Sequence, residues 1–176
     1  VFDLSRAEGE ARRQMRQIMR FLKRYVPGFA DAYIVQSGTH IGVRETRRIV
    51  GEYTLDVEDV LQARKFSDAI ARCSYPVDIH NPAGSGTTLR RLPQGEWYEV
   101  PLRCLVPKDV DGLLVAGRSI SGTHEAHSSY RVTPTAMATG QAAGVCAALA
   151  SRNRCPPRQV LASAVQIELR RQGAIV

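Results

Sequence analysis

The stretch GLLVAGRSISGTHEAHSSYRVTPTAMATGQAAG, residues 112–144, carries the pattern on which the predicted fold depends. Its apolar run Leu113–Ala116 predicts a buried strand of a parallel sheet. Gly117 and a polar loop follow, and a helix rich in Ala and Gly is predicted over Thr135–Leu149, with Pro134 suited to its first turn. This order predicts either a ligand site, where Gly117 permits close approach and the helix start offers unpaired amides, or an ordinary buried βα unit.

The first 25 residues predict a basic amphipathic helix. Ser5-Arg6-Ala7-Glu8 has the S-x-x-E spacing of a capping box, so the helix is expected from about Arg6 to Tyr25. Its apolar residues recur at three- and four-residue steps, and most of its basic residues lie off that stripe. A nucleic-acid surface is the alternative, but aromatic residues that could stack on bases are scarce nearby. We therefore expect a packed helix with a solvated basic face and no nucleic-acid partner.

The rest of the chain alternates between short strand and helix patterns. Acidic residues after Asp56 favour a helix start, and Gly173 is a natural helix stop. Strands are predicted at 32–36, around 49–53, within 69–79 and at 97–106; a loop or hairpin at 81–95; and helices at 56–65 and 157–172. The last helix is expected to bury Val160, Leu161, Val165, Ile167 and Leu169.

Composition limits the classes of protein that fit. The 176 residues suit one domain, and no apolar run approaches the roughly 20 residues that cross a bilayer, so we expect a cytoplasmic protein without a membrane partner. The four cysteines are widely spaced and form no C-x-x-C pair, which predicts reduced and mostly buried thiols. The net charge of +7 does not by itself choose between nucleic acid, an acidic cofactor and solvent.

Three ordered blocks of the sequence resemble one family. The stretch 112–144 resembles the C-terminal cofactor-binding segment of FAD-dependent oxidoreductases of the glutathione-reductase structural superfamily. GTHIGVRETRRIVGEYTLDVEDVLQARKF, residues 38–66, resembles the substrate-domain segment of the same group, and WYEVPLRCLVPKDVDGLLVAG, residues 97–117, joins the two. The resemblance covers roughly residues 37–149.

This resemblance implies an α/β fold, in part α+β, that forms the C-terminal fragment of a two-domain flavoprotein. Residues 1–106 would belong to a mixed-sheet substrate domain, and residues 107–176 would supply the last strand and helices of the FAD-binding domain. The activity implied is hydride transfer between a small-molecule substrate and flavin. Hydride transfer is chemistry that the cofactor supplies, while the protein binds, orients and polarises.

The resemblance also implies roles for residues at matching positions. The helix start is expected to direct amides at the flavin pyrimidine ring, and Arg118, where many such flavoproteins have an acid, would donate to a phosphate or ribityl oxygen. His124 and His127, on the loop between strand and helix, are the candidate catalytic groups that move a proton or polarise substrate. The alternative for each is an ordinary hydrogen-bonded loop histidine. The predicted cofactor-binding residues are Gly117, Arg118, Ser119, Arg131, Val132, Thr133 and Thr135.

The G-x-G-x-x-G motif that holds the ADP half of FAD is absent from the sequence. The chain begins with Val1, and we interpret it as a piece that needs a missing N-terminal FAD-binding segment and does not bind FAD tightly alone. The sheet edge beside 113–116 is then expected to be exposed and to favour self-association. The alternatives are a non-catalytic basic binding module and a subunit of a split flavoenzyme.

Two clusters of polar residues are candidates for a metal site and for a substrate-binding site. His124 and His127 are three residues apart with no third ligand in view, so no metal site is predicted. Arg44 is the candidate substrate-binding residue, because an Arg can clamp a carboxylate in a bidentate manner. The favoured alternative for Arg44, Glu45, Arg47 and Arg48 together is a structural ion-pair network.

Overall fold

The computed structural model describes residues 2–80 and 86–176, so part of the predicted loop at 81–95 lies outside the described residues. The chain divides into two compact units, residues 1–44 and 45–176, which are described separately below. The predicted boundary between substrate and cofactor domains, at 106/107, stays a prediction. The α/β class, in part α+β, is confirmed, since helices accompany two small antiparallel sheets.

The first unit is built on one long helix, α1 (Phe2–Tyr25). It begins before the predicted start, so Ser5 lies inside the helix and the expected capping box there is wrong. Asp3 instead places a negative charge in the first turn, where the helix dipole favours it. The amphipathic pattern is present, yet no residue of α1 is buried, and Phe21 and Tyr25 are more than half exposed.

The strand predicted at residues 32–36 is not formed. These residues have no regular structure, and Tyr33 and Val35 are exposed. A strand needs a neighbour for its backbone hydrogen bonds, and no described residue pairs with this segment. The chain then returns to α1, where Glu8 accepts a hydrogen bond from the Ile41 amide at 2.6 Å.

Two short sheets form part of the second unit. Strand β1 (Ala69–Cys73) pairs antiparallel with β4 (Tyr98–Pro101), and β2 (Val77–His80) pairs antiparallel with β3 (Thr87–Arg90). The predicted strand 97–106 is therefore too long, because a 3₁₀ turn at Leu102–Cys104 replaces its second half. Segment 49–55 forms only isolated bridges with other parts of the unit.

Helix α2 (Val57–Leu61) is shorter than predicted, although its start is correct. Asp56 accepts from the Asp59 amide, and Asp59 accepts from the Asp56 amide, which is a complete capping box. The helix does not reach residue 65 because Ala63 takes a left-handed conformation with φ of 51°.

The run Leu113–Ala116 is not the buried parallel strand that its apolar sequence predicts. Leu113 is 46% exposed, and none of the described residues pairs with the run as a strand. The Val115 amide does donate to the Leu105 carbonyl at 2.9 Å. The segment therefore lies beside the core, as its apolar residues favour, but no described segment pairs with it as a strand.

Three helices complete the second unit: α3 (His124–Tyr130), α4 (Thr133–Asn153) and α5 (Ala162–Arg171). Helix α4 is four residues longer at its C-terminal end than predicted. The predicted helix 157–172 is divided into a 3₁₀ turn, Pro157–Gln159, and α5. Leu161 and Ile167 are exposed, so their expected burial is wrong. Val160, Val165 and Leu169 are buried as predicted, and Gly173, with φ of 83°, follows the end of α5.

The hydrophobic core of the second unit lies between β1, β4 and the helices α3, α4 and α5. Helix α5 also ties to β1 by side chain, because the Gln166 amide donates to the carbonyls of Ser67 and Ala69. All four cysteines are unpaired, and three of them are buried. Within residues 2–80 and 86–176, no helix combines the length and the apolar character needed to cross a membrane.

Candidate functional site

The turn at Gly117–Ser119 is fixed against helix α4. Gly117 has φ of 70°, a conformation that side-chain-bearing residues rarely adopt. Its amide donates to Thr139 Oγ1 at 3.0 Å, and Thr139 donates in turn to the Thr135 carbonyl at 2.9 Å. A Cβ atom on residue 117 would lie 3.8 Å from that of Ala136. Gly117 therefore sits beside the first turns of α4, as the sequence predicts.

The start of α4 presents backbone rather than side chains. Val132 is the N-cap residue, and it makes no side-chain hydrogen bond to the first turn. Thr133 is exposed, whereas the Thr135 side chain is buried and donates to Cys73 Sγ at 3.3 Å. Thr135 can therefore offer a ligand its amide but not its hydroxyl.

The three remaining predicted cofactor residues differ in exposure. Arg118 and Ser119 are exposed on the turn after Gly117. Arg131 is half-buried just before α4, and its guanidinium donates to the Asp78 carbonyl at 3.1 Å. One Arg131 nitrogen is thus engaged by the protein, and this bond links the start of α4 to strand β2.

His124 and His127 lie on helix α3, and the prediction that they lie on a loop is wrong. Thr123 caps this helix, because its hydroxyl accepts from the Ala126 amide at 3.3 Å. The polar residues after Thr123 are typical of a loop, yet five of the seven residues of α3 are buried. A short helix with a Thr cap therefore replaces the expected loop.

Glu45 joins His124 to Arg48. The distance from Glu45 Oε2 to His124 Nδ1 is 2.8 Å, and the same carboxylate forms an ion pair with Arg48. Arg48 Nε also donates to the Gly122 carbonyl at 2.8 Å, directly before the start of α3. Partial burial opposes ionisation of Glu45, but hydrogen bonds from His124 and Arg48 prevail and lower its pKa.

His127 lies near the same carboxylate oxygen but in a different environment. It is 1% exposed, and its ring packs edge-to-face on Tyr130. Its Nδ1 is 3.8 Å from Glu45 Oε2, which is beyond hydrogen-bond distance, and it has no other partner among the described residues. Burial, only partly opposed by Glu45, lowers the pKa of His127 to about 4. His127 is therefore neutral near pH 7.

The sequence model of the family described as FAD dependent oxidoreductase matches residues 1–169. The chain belongs to the FAD dependent oxidoreductase family. Neither the curated proteins nor the solved structures gave a match.

FAD is the cofactor of FAD dependent oxidoreductases, and the residues around Gly117 fit part of it. The uncapped first turn of α4 suits an electron-rich group. The positive φ of Gly117 lets the turn backbone lie close to a ligand beside that helix start. Within the described part of the chain, no cluster of three or more candidate metal ligands occurs.

The substrate role of Arg44 stays a prediction. Arg44 is exposed at the end of the first unit. Arg47 is also exposed, while Arg48 is half-buried and paired with Glu45. An ion pair therefore exists within the cluster, as the favoured alternative expects.

Sequence reasoning missed Glu45 as a member of the site. It named both histidines but treated Glu45 only as part of a charged cluster. The two residues of the Glu45–His124 pair are 79 positions apart, and no motif spacing links them. A catalytic histidine is often oriented by a carboxylate, and a search of the sequence for such carboxylates could have named Glu45 as a candidate.

Proposed function

We propose that this chain supplies the C-terminal half of a flavin site of the glutathione-reductase type. The observation that supports this best is the bond from the Gly117 amide to Thr139, which keeps a ligand-accessible turn beside the uncapped start of α4. A flavin site needs both features. A turn with accessible backbone can bind the ribityl chain, and a helix start can stabilise the negative charge that grows on the ring when it is reduced.

Different residues would bind different parts of FAD, according to their chemistry. The amides of Thr133 and Thr135, together with the positive end of α4, would stabilise negative charge on the pyrimidine ring. Arg118 is exposed on the adjacent turn and has only donors, so it would donate to a ribityl or phosphate oxygen. When bound, FAD would accept a hydride from a substrate carbon or return one to it.

A cavity of about 850 Å³ would accommodate a part of the small-molecule substrate away from the two candidate histidines, neither of which lines it. It is lined by residues that include Arg72, Cys73, Arg91 and Trp97. Cys73 accepts the hydrogen bond from Thr135, so one wall of the cavity contacts the helix that would hold the flavin ring. Glu96 is the one acidic residue among the described lining residues, so the two arginines leave the lining with a net positive charge that would favour a negatively charged substrate.

The ADP half of FAD would be bound by residues outside this chain. A G-x-G-x-x-G motif occurs nowhere in the 176 residues, so the chain alone is expected to bind FAD weakly. We propose that this chain is the C-terminal part of a longer cytoplasmic enzyme. The boundary between the substrate domain and the cofactor domain would lie near residue 106.

The test is the visible spectrum of the full-length protein that contains this chain, purified without added cofactor. We expect a flavin band, and a lower flavin content in the Arg118→Ala variant. Arg152→Ala is the matched control, because Arg152 is an exposed arginine in the last turn of α4, far from its start. A colourless full-length protein that takes up no added FAD would contradict the proposal and favour a non-catalytic binding module.

The chain alone provides a second arm of this experiment. Tight FAD binding by the 176 residues would show that the ADP site has been placed in the wrong segment. Flavin uptake that appears only when a separate polypeptide with the glycine motif is added would instead identify a split enzyme.

A further inference from the structure

We propose that Glu45 is a positioning residue that holds His124 as a proton acceptor, and that His124 rather than His127 serves the reaction. The inference rests on the proposed oxidoreductase function, which leaves both histidines as candidates. Its basis is the pairing of Glu45 with His124 at the start of α3, and the different surroundings of the two rings.

The hydrogen bond fixes which ring nitrogen of His124 carries the proton. An ionised carboxylate can only accept hydrogen bonds, so His124 Nδ1 must be the donor to Glu45. In the neutral ring, Nε2 then keeps a lone pair. The His124 side chain is 55% exposed, so this lone pair belongs to a ring that a substrate can reach. A carboxylate that orients a histidine in this way is a recurrent arrangement in general-base catalysis.

Glu45 is itself held in place. Arg48 pairs with it and also donates through Nε to the Gly122 carbonyl. The next backbone contact along the loop is the Thr123 amide, which donates to the Leu55 carbonyl at 2.9 Å. The carboxylate and the first turn of α3 are thus attached to the same short loop, which keeps Glu45 next to His124.

His127 lacks the features that proton exchange with a substrate requires. It is buried, packs on Tyr130 and makes no hydrogen bond through Nδ1 within the described residues. Glu45 Oε2 lies 3.8 Å from His127 Nδ1 and therefore does not orient this ring through a hydrogen bond. The structure therefore separates two histidines that the sequence leaves equivalent.

The proposed proton transfer applies to a substrate that carries an O–H or N–H on the carbon to be oxidised. The heteroatom–hydrogen bond breaks and its proton passes to His124 Nε2. The electron pair of that bond would form the new C=O or C=N bond, and the C–H pair would leave as hydride, which FAD, when bound, would accept. The reverse direction returns the proton from Nε2.

The first test measures the tautomer of His124 by ¹⁵N NMR at a pH where the ring is neutral. We expect Nδ1–H in the wild-type chain and a shift toward Nε2–H in Glu45→Gln, because an amide can donate as well as accept and no longer imposes one tautomer. Glu52→Gln is the control, since Glu52 pairs with Arg158 and not with a histidine. An Nε2–H tautomer in the wild-type chain would overturn the proposal.

The second test measures how fast diethyl pyrocarbonate modifies each histidine, by peptide mass spectrometry. His40, 88% exposed, is the internal reference for reagent activity. We expect His124 to react at a rate within about tenfold of His40 and His127 to stay unmodified in the folded protein, since the reagent needs an accessible neutral nitrogen. Modification of His127 ahead of His124 would contradict the assignment.

Both measurements work on the wild-type chain, so a Glu45 variant that fails to fold does not remove the test. Neither uses flavin, so they also separate this inference from the proposed function. A full-length protein without flavin would refute the oxidoreductase proposal while leaving the tautomer result unchanged. The opposite pattern, a flavoprotein with His124 in the Nε2–H form, would refute only the role of Glu45.

Discussion

The contact between Gly122 and Tyr130 shows how one absent side chain shapes the candidate site. A Cβ on residue 122 would lie 2.6 Å from Tyr130 Cε1 and 2.7 Å from its hydroxyl oxygen, closer than atoms can approach. Tyr130 is fully buried and donates to the Ile120 carbonyl at 3.1 Å, so it has no free direction in which to move. Gly122 is also the residue whose carbonyl holds Arg48.

We predict that Gly122→Ala destabilises the protein by about 1–3 kcal/mol or more, because the added methyl overpacks the core. Gly140→Ala is the matched control. Gly140 lies in α4, where an added Cβ would meet no neighbouring atom within 4 Å, and alanine there should raise stability by about 0.5–1 kcal/mol. Urea unfolding of the three proteins measures both effects, and equal stabilities for the two variants would refute the prediction.

The buried His127 predicts a pH dependence of stability. Its pKa is lowered from 6.5 to about 4 in the folded protein, so the unfolded chain binds a proton first as the pH falls. The contribution of His127 to the free energy of unfolding is therefore nearly constant above about pH 7 and decreases between about 6.5 and 4, by about 3 kcal/mol in all. The lowered pKa of Glu45 adds a second loss that begins as the pH falls through the ordinary value of 4.5, at the lower end of this window, so measurements above about pH 5 report mainly on His127.

Denaturant unfolding between pH 7.5 and 5 measures this slope, and His127→Gln should flatten it because glutamine does not titrate. An NMR titration of the His127 ring reports the pKa directly. A midpoint near 6.5 for His127, or an unchanged slope in the variant, would mean that the ring is not desolvated as described.

At the scale of elements, the link between the Gly117 turn and α4 depends on one hydroxyl. Thr139 Oγ1 accepts from the Gly117 amide and donates to carbonyls of the preceding turn of α4. Thr139 is fully buried, so water cannot replace these bonds. The position of the predicted ribityl-binding turn relative to the helix start follows from this side chain.

We predict that Thr139→Val destabilises the chain by about 1–3 kcal/mol, because it leaves the Gly117 amide without its acceptor. Thr139→Ser keeps the hydroxyl and should retain most of the turn geometry. Unfolding free energies and the flavin content of the full-length protein measure the two effects. Wild-type flavin content in Thr139→Val would show that the turn does not position the cofactor.

Elements were predictable where their signals are local. The start of α4 follows from Pro134, and the start of α2 follows from Asp56, because a first turn is determined by neighbouring residues. The run Leu113–Ala116 was mispredicted because a strand exists only with a partner, and pairing is not encoded within four apolar residues. Helix α3 was missed because its polar residues resemble a loop, although most of them are buried.

At the scale of the whole molecule, burial is distributed unevenly along the chain. Every residue of the hydrophobic core lies between Leu55 and Leu169, in the second unit. Helix α1 is 24 residues long and contributes no buried residue. Most helices gain their stability from packing rather than from intrinsic propensity, so the two units should differ in their local stability.

Hydrogen exchange followed by mass spectrometry tests this difference. We predict that peptides from α1 exchange much faster than peptides from the middle of α4, where Ala142, Val145 and Cys146 are buried. Within the same protein, α4 is the control for exchange conditions. Comparable protection of the two helices would show that α1 is stabilised by contacts that its exposed side chains do not reveal.

The candidate site was predictable only in its half that is contiguous in sequence. Gly117 and the start of α4 lie within one stretch, so their adjacency follows from a turn and a helix. The pairing of Glu45 with His124 joins residues 79 positions apart and depends on how the 45–55 segment meets the loop before α3. Such an arrangement requires the folded structure.

The bonds from Gln166 to the carbonyls of Ser67 and Ala69 have a consequence for synthesis on the ribosome. Helix α5 also contributes the buried Val165 and Leu169, so β1 stays partly uncovered until residues 162–171 are made. At about 5–20 residues per second, the apolar strand spends several seconds without its cover. The nascent chain is thus exposed to chaperones and to misassociation until α5 has left the ribosome.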